Sequence, residues 1–414
     1  MIKNVMQRKC FYFNLFIIIY VVTHLIVIEV QKYLKNRETI DYVNSHLKNI
    51  NLYIDKCKKN NINYMASFRK IKPISKPKIT ALIAVYNSEK FIETAIRSVQ
   101  YQKFYDIEIL VIDDCSTDKS AEIVHRLKFF DKRIRLIRNK ENKGVLYSKS
   151  LGILKSNGKY IMFLDSDDLF INDNIFAKCF KIAMEENIDI VEFSGFKNNF
   201  TQFELGDILP KIPLYLKYKR NNETIHQPEL SKYLYRVLDD NRYKLIDGYL
   251  WGKCIKTKVL KDTLKIIGRD LYFTKLNYGD DRLINLALFR VAKSFKYIKE
   301  FGYLYNQNNA SITHLNKTID NCRDELTNIF FIYNFTKDTK ETDIAAFELY
   351  KRWNKIIYPG LQSKKNKKYL INMMKLMLKD KYITEVSKIR LLNLSNYTNE
   401  IEIKNIYTNG DWGL

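Results

Sequence analysis

The sequence predicts an α/β protein with a largely parallel sheet covered by helices on both faces. From residue 78 onward, short apolar runs alternate with amphipathic stretches, and the loops between them are short. This alternation is typical of parallel strands joined by crossover helices. A hydrophobic content of 46% in 414 residues provides enough apolar material for two domains, or for one large domain with attachments.

The N-terminal segment, residues 1–30, contains an apolar stretch at Phe11–Val30. Its length suits a helix that crosses a bilayer. No small-residue cleavage site follows, so we expect a retained anchor, not a removed signal peptide. A buried helix of the globular fold is the alternative. We therefore predict a single-pass membrane protein, with type II topology in the Golgi or endoplasmic reticulum if the source is eukaryotic.

Residues 31–76 are polar and rich in Lys and Asn, which predicts a stem, and Pro73 and Pro77 mark its end. Short apolar runs then predict five strands, at Ile79–Val85, Ile107–Ile112, Ile134–Ile137, Tyr160–Leu164 and Asp189–Phe193. Amphipathic stretches predict four helices, at Ser88–Val99, from Asp118 to about Leu127, at Val145–Leu154 and at Asn174–Asn187. Ser88 is suited to cap the first of them.

Polar clusters follow three of the predicted strands, at Tyr86-Asn87, Asp113-Asp114 and Asp165-Ser166-Asp167-Asp168. Ligands bind outside the carboxyl ends of strands in such sheets, so these clusters predict one binding edge. The last cluster holds three carboxylates, which repel one another unless a cation lies among them. Mg²⁺ or Mn²⁺ suits such hard oxygen ligands, often together with substrate phosphates. An Asp-rich turn that caps the next helix is the alternative.

Other classes of protein lack support in the sequence. The first strand is not followed by Gly-x-Gly-x-x-Gly, and no Walker-type Gly-Lys-Ser/Thr is present, which disfavours dinucleotide dehydrogenases and P-loop enzymes. The six cysteines form no Cys-x-x-Cys motif, so nothing implies a zinc site. The net charge of +24 favours an anionic partner, but the lysines are spread along the chain, and we predict no nucleic-acid partner.

The order and spacing of these motifs resemble the nucleotide-sugar half of family 2 glycosyltransferases over residues 77–196. The matching segments are Ala84-Val85-Tyr86-Asn87, Val111–Asp118, Asn142-Lys143-Gly144, Gly158-Lys159-Tyr160-Ile161 and Phe163–Asp168. The resemblance implies a GT-A fold, a Rossmann-type, mostly parallel sheet with flanking helices. This chain departs from the family at Ser148-Lys149-Ser150, where members often have Ala-Arg-Asn.

The resemblance also implies roles for individual residues. Donor-binding residues would be Ala84, Tyr86, Asp114, Lys143 and Asp165, with the first three contacting the nucleoside, typically uridine. Asp165 and Asp167 would form the Asp-x-Asp motif that holds Mn²⁺ or Mg²⁺.

Residues 197–315 resemble the acceptor half of the family. Trp251 and Asp168 are predicted on the acceptor side, although an ordinary core aromatic is the alternative for Trp251. Asp280 and Asp281 open an apolar-periodic helix where family members usually have Glu-Asp. The resemblance implies that Asp281 is the general base, with Asp280 beside it in the catalytic pair. The alternative is that two acids at a helix N-terminus stabilise its dipole.

Residues 316–414 are predicted to form a helical C-terminal extension to which we assign no chemistry. The complete chain is thus predicted to be a metal-dependent, inverting glycosyltransferase. It would move a sugar from a nucleotide sugar, typically a UDP-sugar, to a hydroxyl of a glycan, lipid or protein acceptor. A nucleotidyltransferase with a related fold and a non-catalytic glycan-binding scaffold are the alternatives.

Overall fold

The structure is a computed structural model. It describes residues 74–198, 224–227, 235–237, 243–245 and 249–306, together with the isolated positions 45, 324 and 328. The predicted anchor, nearly all of the stem and most of residues 307–414 lie outside this part of the chain. Within the described residues, no helix has both the length and the apolar character needed to span a bilayer.

The described strands are β1 (Ile79–Val85), β2 (Ile107–Asp113), β3 (Ile134–Arg138), β4 (Tyr160–Asp165), β5 (Leu169–Phe170), β6 (Ile190–Asn198), β7 (Thr224–His226), β8 (Tyr235–Val237), β9 (Tyr243–Leu245), β10 (Lys253–Lys256) and β11 (Ser294–Asn306). The described helices are α1 (Ile92–Gln100), α2 (Ser120–Phe130), α3 (Val145–Lys155), α4 (Ile175–Glu185), α5 (Thr257–Ile267), α6 (Arg269–Tyr272) and α7 (Asp280–Val291). The five strands and four helices predicted in the first half are thus present.

Nine of these strands form one sheet in the order β3-β2-β1-β4-β10-β6-β11-β5, with β7 paired to β11. Strands β1 to β4 pair in parallel, as predicted. Beyond β4, however, β10 runs antiparallel to both of its neighbours, and β5 and β7 run antiparallel to β11. Strands β6 and β11 again pair in parallel. The parallel prediction is thus confirmed for this pair and for β1 to β4, while the sheet as a whole is mixed. Apolar periodicity locates strands but does not encode their direction.

Two hydrophobic clusters cover the two faces of the sheet, and β1 shows how its sequence divides between them. Ile83 and Val85 lie in the cluster that includes buried residues of α1, α2 and α4. Leu82 lies in the other cluster, with buried residues of α3, α5 and α7. Successive side chains of a strand point to opposite faces, so an uninterrupted apolar strand supplies both layers of the core.

Ser88 does not cap the first helix as predicted, because α1 begins only at Ile92. The carbonyl of Ser88 accepts hydrogen bonds from the amides of Phe91 and Ile92. Its hydroxyl lies 2.7 Å from the hydroxyl of Ser166, in the loop after β4. Ser88 therefore connects two loops at the binding edge of the sheet, and this contact competes with local capping.

Candidate active site

The loops after β1 and β2 are interlocked at the carboxyl end of the sheet. The side-chain oxygen of Asn87 accepts a hydrogen bond from the Thr117 amide at 2.8 Å, and the Asn87 amide donates to the Ser116 hydroxyl at 3.0 Å. Asn87 has a φ of +50°, a conformation that Asn adopts more readily than most residues. Tyr86 is 48% exposed beside it, so its ring is accessible at this edge.

Asp114 connects this edge to the start of α3. Its carboxylate is buried and accepts three hydrogen bonds, from the Asn139 side-chain amide at 2.7 Å and from the backbone amides of Lys143 and Gly144 at 2.9 and 2.8 Å. The Lys143 side chain instead pairs with Glu141 at the surface. Asp114 therefore fixes the loop that leads into α3, and Lys143 contributes its backbone to that contact.

The aspartates after β4 have different environments. Asp165 lies next to Ala84 in the register of β1 and β4, and its side chain is 35% exposed. Asp168 is completely buried, and its two oxygens accept hydrogen bonds from the Tyr303 hydroxyl and the Asn306 amide, both at 2.7 Å. The Tyr303 hydroxyl also accepts from the Asp165 amide at 3.1 Å.

These contacts indicate that Asp168 has a structural role. Burial raises the pKa of the Asp168 carboxyl well above its usual value, and the charges of Asp167 and Asp165 raise it further. Through Tyr303, Asp168 ties the loop after β4 to β11. The predicted acceptor-side role of Asp168 is not tested by this geometry, which shows a carboxylate directed into the protein.

Lys149 brings acids from three positions together. This lysine lies on α3 and is buried, and its ammonium nitrogen is 2.6 Å from Asp281 Oδ1 and 2.8 Å from Asp280 Oδ2. The same nitrogen lies 3.6 Å from Asp165 Oδ1, at the end of β4. The acids that the sequence assigned to the donor half and to the acceptor half therefore share one cation.

The shared cation changes the acid–base properties of the cluster. Burial raises the pKa of Asp280 to about 7. The charge of Lys149 lowers this pKa, but only in part, and the negative charge of Asp281 raises it further. Burial lowers the pKa of the Lys149 ammonium, but the charges of Asp280, Asp281 and Asp165 together raise it well above its usual value. Lys149 is thus held as a buried cation.

Asp281 is the catalytic candidate with access to solvent. Its side chain is 17% exposed, with Oδ1 against Lys149 and Oδ2 accepting a 3.3 Å hydrogen bond from the Leu250 amide. Asp280 and Asp281 form the first turn of α7, so they also lie where a helix dipole favours negative charge. A position at a helix N-terminus is therefore compatible both with stabilising the helix dipole and with a role for Asp281 as general base.

Trp251 lies inside an aromatic stack. It is 3% exposed, and its ring is stacked with Tyr303 at 4.7 Å between centroids, with Tyr249 at 5.1 Å and with Tyr305 at 6.1 Å. Tyr249 is 42% exposed. The ring of Trp251 is thus part of the core, as in the alternative interpretation, while Tyr249 presents the outer face of the stack. The acceptor-side role of Trp251 stays a prediction.

The model of the family described as glycosyl transferase family 2 matches residues 80–248 of the chain. These residues belong to glycosyl transferase family 2. The resemblance noted in the sequence is confirmed, and the domain is of the glycosyltransferase type.

Curated relatives agree with this assignment, and a solved structure shares the fold. The uncharacterized glycosyltransferase EpsJ of Bacillus subtilis is 28% identical over 239 residues, which are 58% of this chain and 64% of the relative. Glycosyltransferase GlyA of Streptococcus pneumoniae is 27% identical over 58% of this chain and 32% of the relative. The chain thus spans less than two thirds of the length of these relatives. The crystal structure of S. aureus TarS in complex with UDP-GlcNAc shares the fold, with a TM-score of 0.51, 17% identity, and coverage of 73% of this chain and 81% of that chain.

The side chains of the family 2 domain fit a divalent ion only in part. Asp165 offers a partly exposed carboxylate, and Asp167, two residues on, is also partly exposed. Among the described residues, no group of three or more His, Cys, Asp or Glu side chains is arranged to hold a metal. Mg²⁺ commonly uses one or two protein carboxylates and completes its shell with phosphates and water, so this donor set suits such an ion.

Sequence reasoning missed two residues of the site. The sequence presents Lys149 only as part of the departure from Ala-Arg-Asn. The available signal is that Lys149 keeps a positive charge where the family motif has its Arg. The sequence assigned no individual role to Tyr303, because an aromatic residue in an apolar strand predicts a core position. Its contacts with Asp168 and the Asp165 amide depend on β11 entering the sheet beside β5 and β6.

Proposed function

We propose that this chain is a glycosyltransferase that moves a sugar from a nucleotide sugar, a UDP-sugar in the first instance, to an acceptor hydroxyl with inversion. The observation that carries the proposal is the convergence of Asp165, Asp280 and Asp281 on Lys149 at the carboxyl edge of the sheet. Crevices outside strand carboxyl ends bind nucleotides in this class of fold. TarS, with the same fold, has been crystallised with UDP-GlcNAc and with UDP.

In the proposed mechanism, the donor binds across the ends of β1, β2 and β4. The exposed ring of Tyr86 packs on the base, and the loop held by Asp114 supports it. A divalent ion held by Asp165 and Asp167 would supply Lewis-acid neutralisation of the departing diphosphate.

Asp281 accepts the proton of the attacking hydroxyl. The carboxylate is oriented by Lys149 on one oxygen and by the Leu250 amide on the other, which restricts its rotation. A base placed opposite the leaving diphosphate gives a single displacement, with inversion at the anomeric carbon. Holding the donor and the acceptor in line removes much of the entropic cost of the reaction.

A hydrolysis assay tests this function. The chain is incubated with Mn²⁺ and a panel of UDP- and GDP-sugars, and release of the nucleoside diphosphate is measured. We expect Asp281→Asn to lower turnover by about 10²–10⁴-fold, the range for losing a general base. Asp165→Asn should also lower turnover, because a carboxylate proposed to hold the divalent ion is lost. Asp262→Asn, on the outer face of α5, is the matched control and should behave as the wild type.

The same preparation separates the alternatives. Wild-type turnover in both aspartate variants would contradict the proposal. Release of pyrophosphate from a nucleoside triphosphate would identify a nucleotidyltransferase. Glycan binding that is insensitive to chelation, with no turnover of any donor, would identify a scaffold. The membrane anchor at Phe11–Val30 and the single-pass topology are part of the proposal and are tested by membrane fractionation of the full chain.

A further inference from the structure

Lys149 contacts its three acids unequally. The ammonium is within 2.8 Å of both Asp280 and Asp281 but 3.6 Å from Asp165. The contact with Asp281 is a short charge-assisted hydrogen bond, whereas the contacts with Asp280 and Asp165 are ion pairs, the latter at longer range. Lys149 is therefore bound chiefly to the acids of α7, and Asp165 keeps a side chain that is 35% exposed.

The backbone that carries Lys149 is anchored at the start of α3. The Leu146 amide donates to the Leu276 carbonyl at 3.1 Å, and the preceding Gly144 amide donates to Asp114. The Ser148 hydroxyl, next to Lys149 in sequence, accepts a hydrogen bond from the Asn139 side chain at 3.1 Å. The helix that carries the Lys149 ammonium is thus held at its start by Asp114 and by Leu276, which lies before α7.

The charges in this cluster do not balance. Three carboxylates face one ammonium, and two of those carboxylates belong to neighbouring residues in the first turn of α7. Like charges at this spacing disfavour ionisation unless a cation lies beside them. Carboxylate oxygens are the ligands that Mg²⁺ and Mn²⁺ prefer. If the lysine were absent, a divalent ion would be the available counter-charge for Asp280 and Asp281.

We propose that Lys149 is a positioning residue that holds Asp280 and Asp281 as the proton-accepting side of the site and excludes divalent ions from them. The metal is thereby restricted to Asp165 and Asp167, beside the diphosphate. This inference rests on the proposed function for its catalytic consequence, but its consequence for metal binding does not require turnover.

The test uses the full chain and two readouts. Binding of Mn²⁺ with no donor present is followed by electron paramagnetic resonance, and kcat and KM are measured with the nucleotide sugar that the wild type turns over best. The variants are Lys149→Met, Lys149→Arg and the control Lys155→Met, which removes an exposed lysine from the last turn of the same helix.

We expect Lys149→Met to bind Mn²⁺ about tenfold more tightly than the wild type, because a positive charge near the carboxylates is lost. Its kcat should fall on the order of 10²-fold, as for a displaced catalytic group, with KM for the donor nearly unchanged. Lys149→Arg should recover most of the kcat and the wild-type Mn²⁺ affinity. Lys155→Met should match the wild type in both readouts.

The double variant Lys149→Met/Asp280→Asn removes one ammonium and one carboxyl group together, and it is used if Lys149→Met does not fold. It should return Mn²⁺ affinity towards the wild type while kcat stays low, because the positioning contact is still missing. An unchanged kcat in either variant that lacks Lys149, or Mn²⁺ binding by Lys149→Met no tighter than by the wild type, would overturn the inference. If the wild type turns over no donor, the proposed function fails, and the Mn²⁺ readout still decides the role of Lys149.

Discussion

At the scale of single residues, the carboxylates of the site differ in how deeply they are buried. The Asp280 side chain is 11% exposed and is paired with the Lys149 ammonium. The Asp165 side chain is 35% exposed. Burial penalises the charged form of a carboxyl group, so equal residue types acquire different proton affinities. Asp281, with one oxygen on Lys149 and one on the Leu250 amide, is the member whose orientation is fixed on both sides.

The raised pKa of Asp280 predicts how stability depends on pH. Its pKa is about 7 in the folded chain and 3.8 in an unperturbed one, so the folded state binds more protons between these values. The contribution of Asp280 to stability is therefore lost as pH rises through that window. Relative to Asp280→Asn, the wild type should lose on the order of 4 kcal/mol of unfolding free energy from pH 4 to pH 8.

Denaturant unfolding at four pH values in that range measures this difference. Asp262→Asn is the control, since Asp262 lies on the outer face of α5 and Lys258 and Lys265 lower its pKa. Parallel pH profiles for the wild type and Asp280→Asn would show that the folded chain does not hold this proton.

At the scale of elements, the start of α3 decides where Lys149 lies. Gly144 precedes the helix with a φ of +88° and a ψ of 163°, a region essentially restricted to glycine. A Cβ at this position would come within 2.9 Å of the Leu276 backbone nitrogen. The close approach lets the Leu276 carbonyl receive the Leu146 amide, which joins α3 to the segment before α7.

Gly144→Ala should therefore lower the free energy of unfolding by more than backbone strain alone would. Gly268 provides a matched control, because its φ is +86° and its Cβ would meet nothing within 4 Å. Both alanine variants should lose about 1–3 kcal/mol of unfolding free energy to strain. Only Gly144→Ala should lose more than this and also lower donor turnover, since α3 must shift away from Leu276. Equal losses in both proteins, with full turnover in Gly144→Ala, would contradict this account.

At the scale of the whole molecule, the mixed sheet is the rigid base on which the site is built. Strand β1 lies between β2 and β4, and all three are almost entirely buried, whereas β3 lies at an end of the described sheet. The acids at the ends of β2 and β4 are thus carried by the most enclosed part of the described chain.

Hydrogen exchange should follow this order. Amides that pair inside a buried sheet open only with large parts of the fold, and amides at an edge open locally. We expect peptides covering β1, β2 and β4 to exchange at least tenfold more slowly than a peptide covering β3, whose residues are mostly half-buried. Mass spectrometry of timed deuterium uptake measures this, and β3 exchanging as slowly as β1 would contradict the architecture.

The sequence by itself located five strands and four helices of the described chain, together with the polar clusters at one edge of the sheet. Apolar runs located β1 to β4 and β6, and β1, β2 and β4 have uninterrupted apolar stretches because both of their faces are buried. The family resemblance, carried by Asp113-Asp114 and by the cluster from Asp165 to Asp168, is confirmed by the family assignment.

The tertiary structure decided what depends on contacts between distant segments. Apolar periodicity does not encode strand direction, so the antiparallel entry of β10 and the mixed sheet could not be foreseen. The burial of Asp168 depends on Tyr303, which is 135 residues away, and the pairing of Lys149 with Asp281 spans 132 residues. Local sequence determines which residues form strands and helices, but the electrostatics of a buried site depend on which charges the folded chain places next to one another.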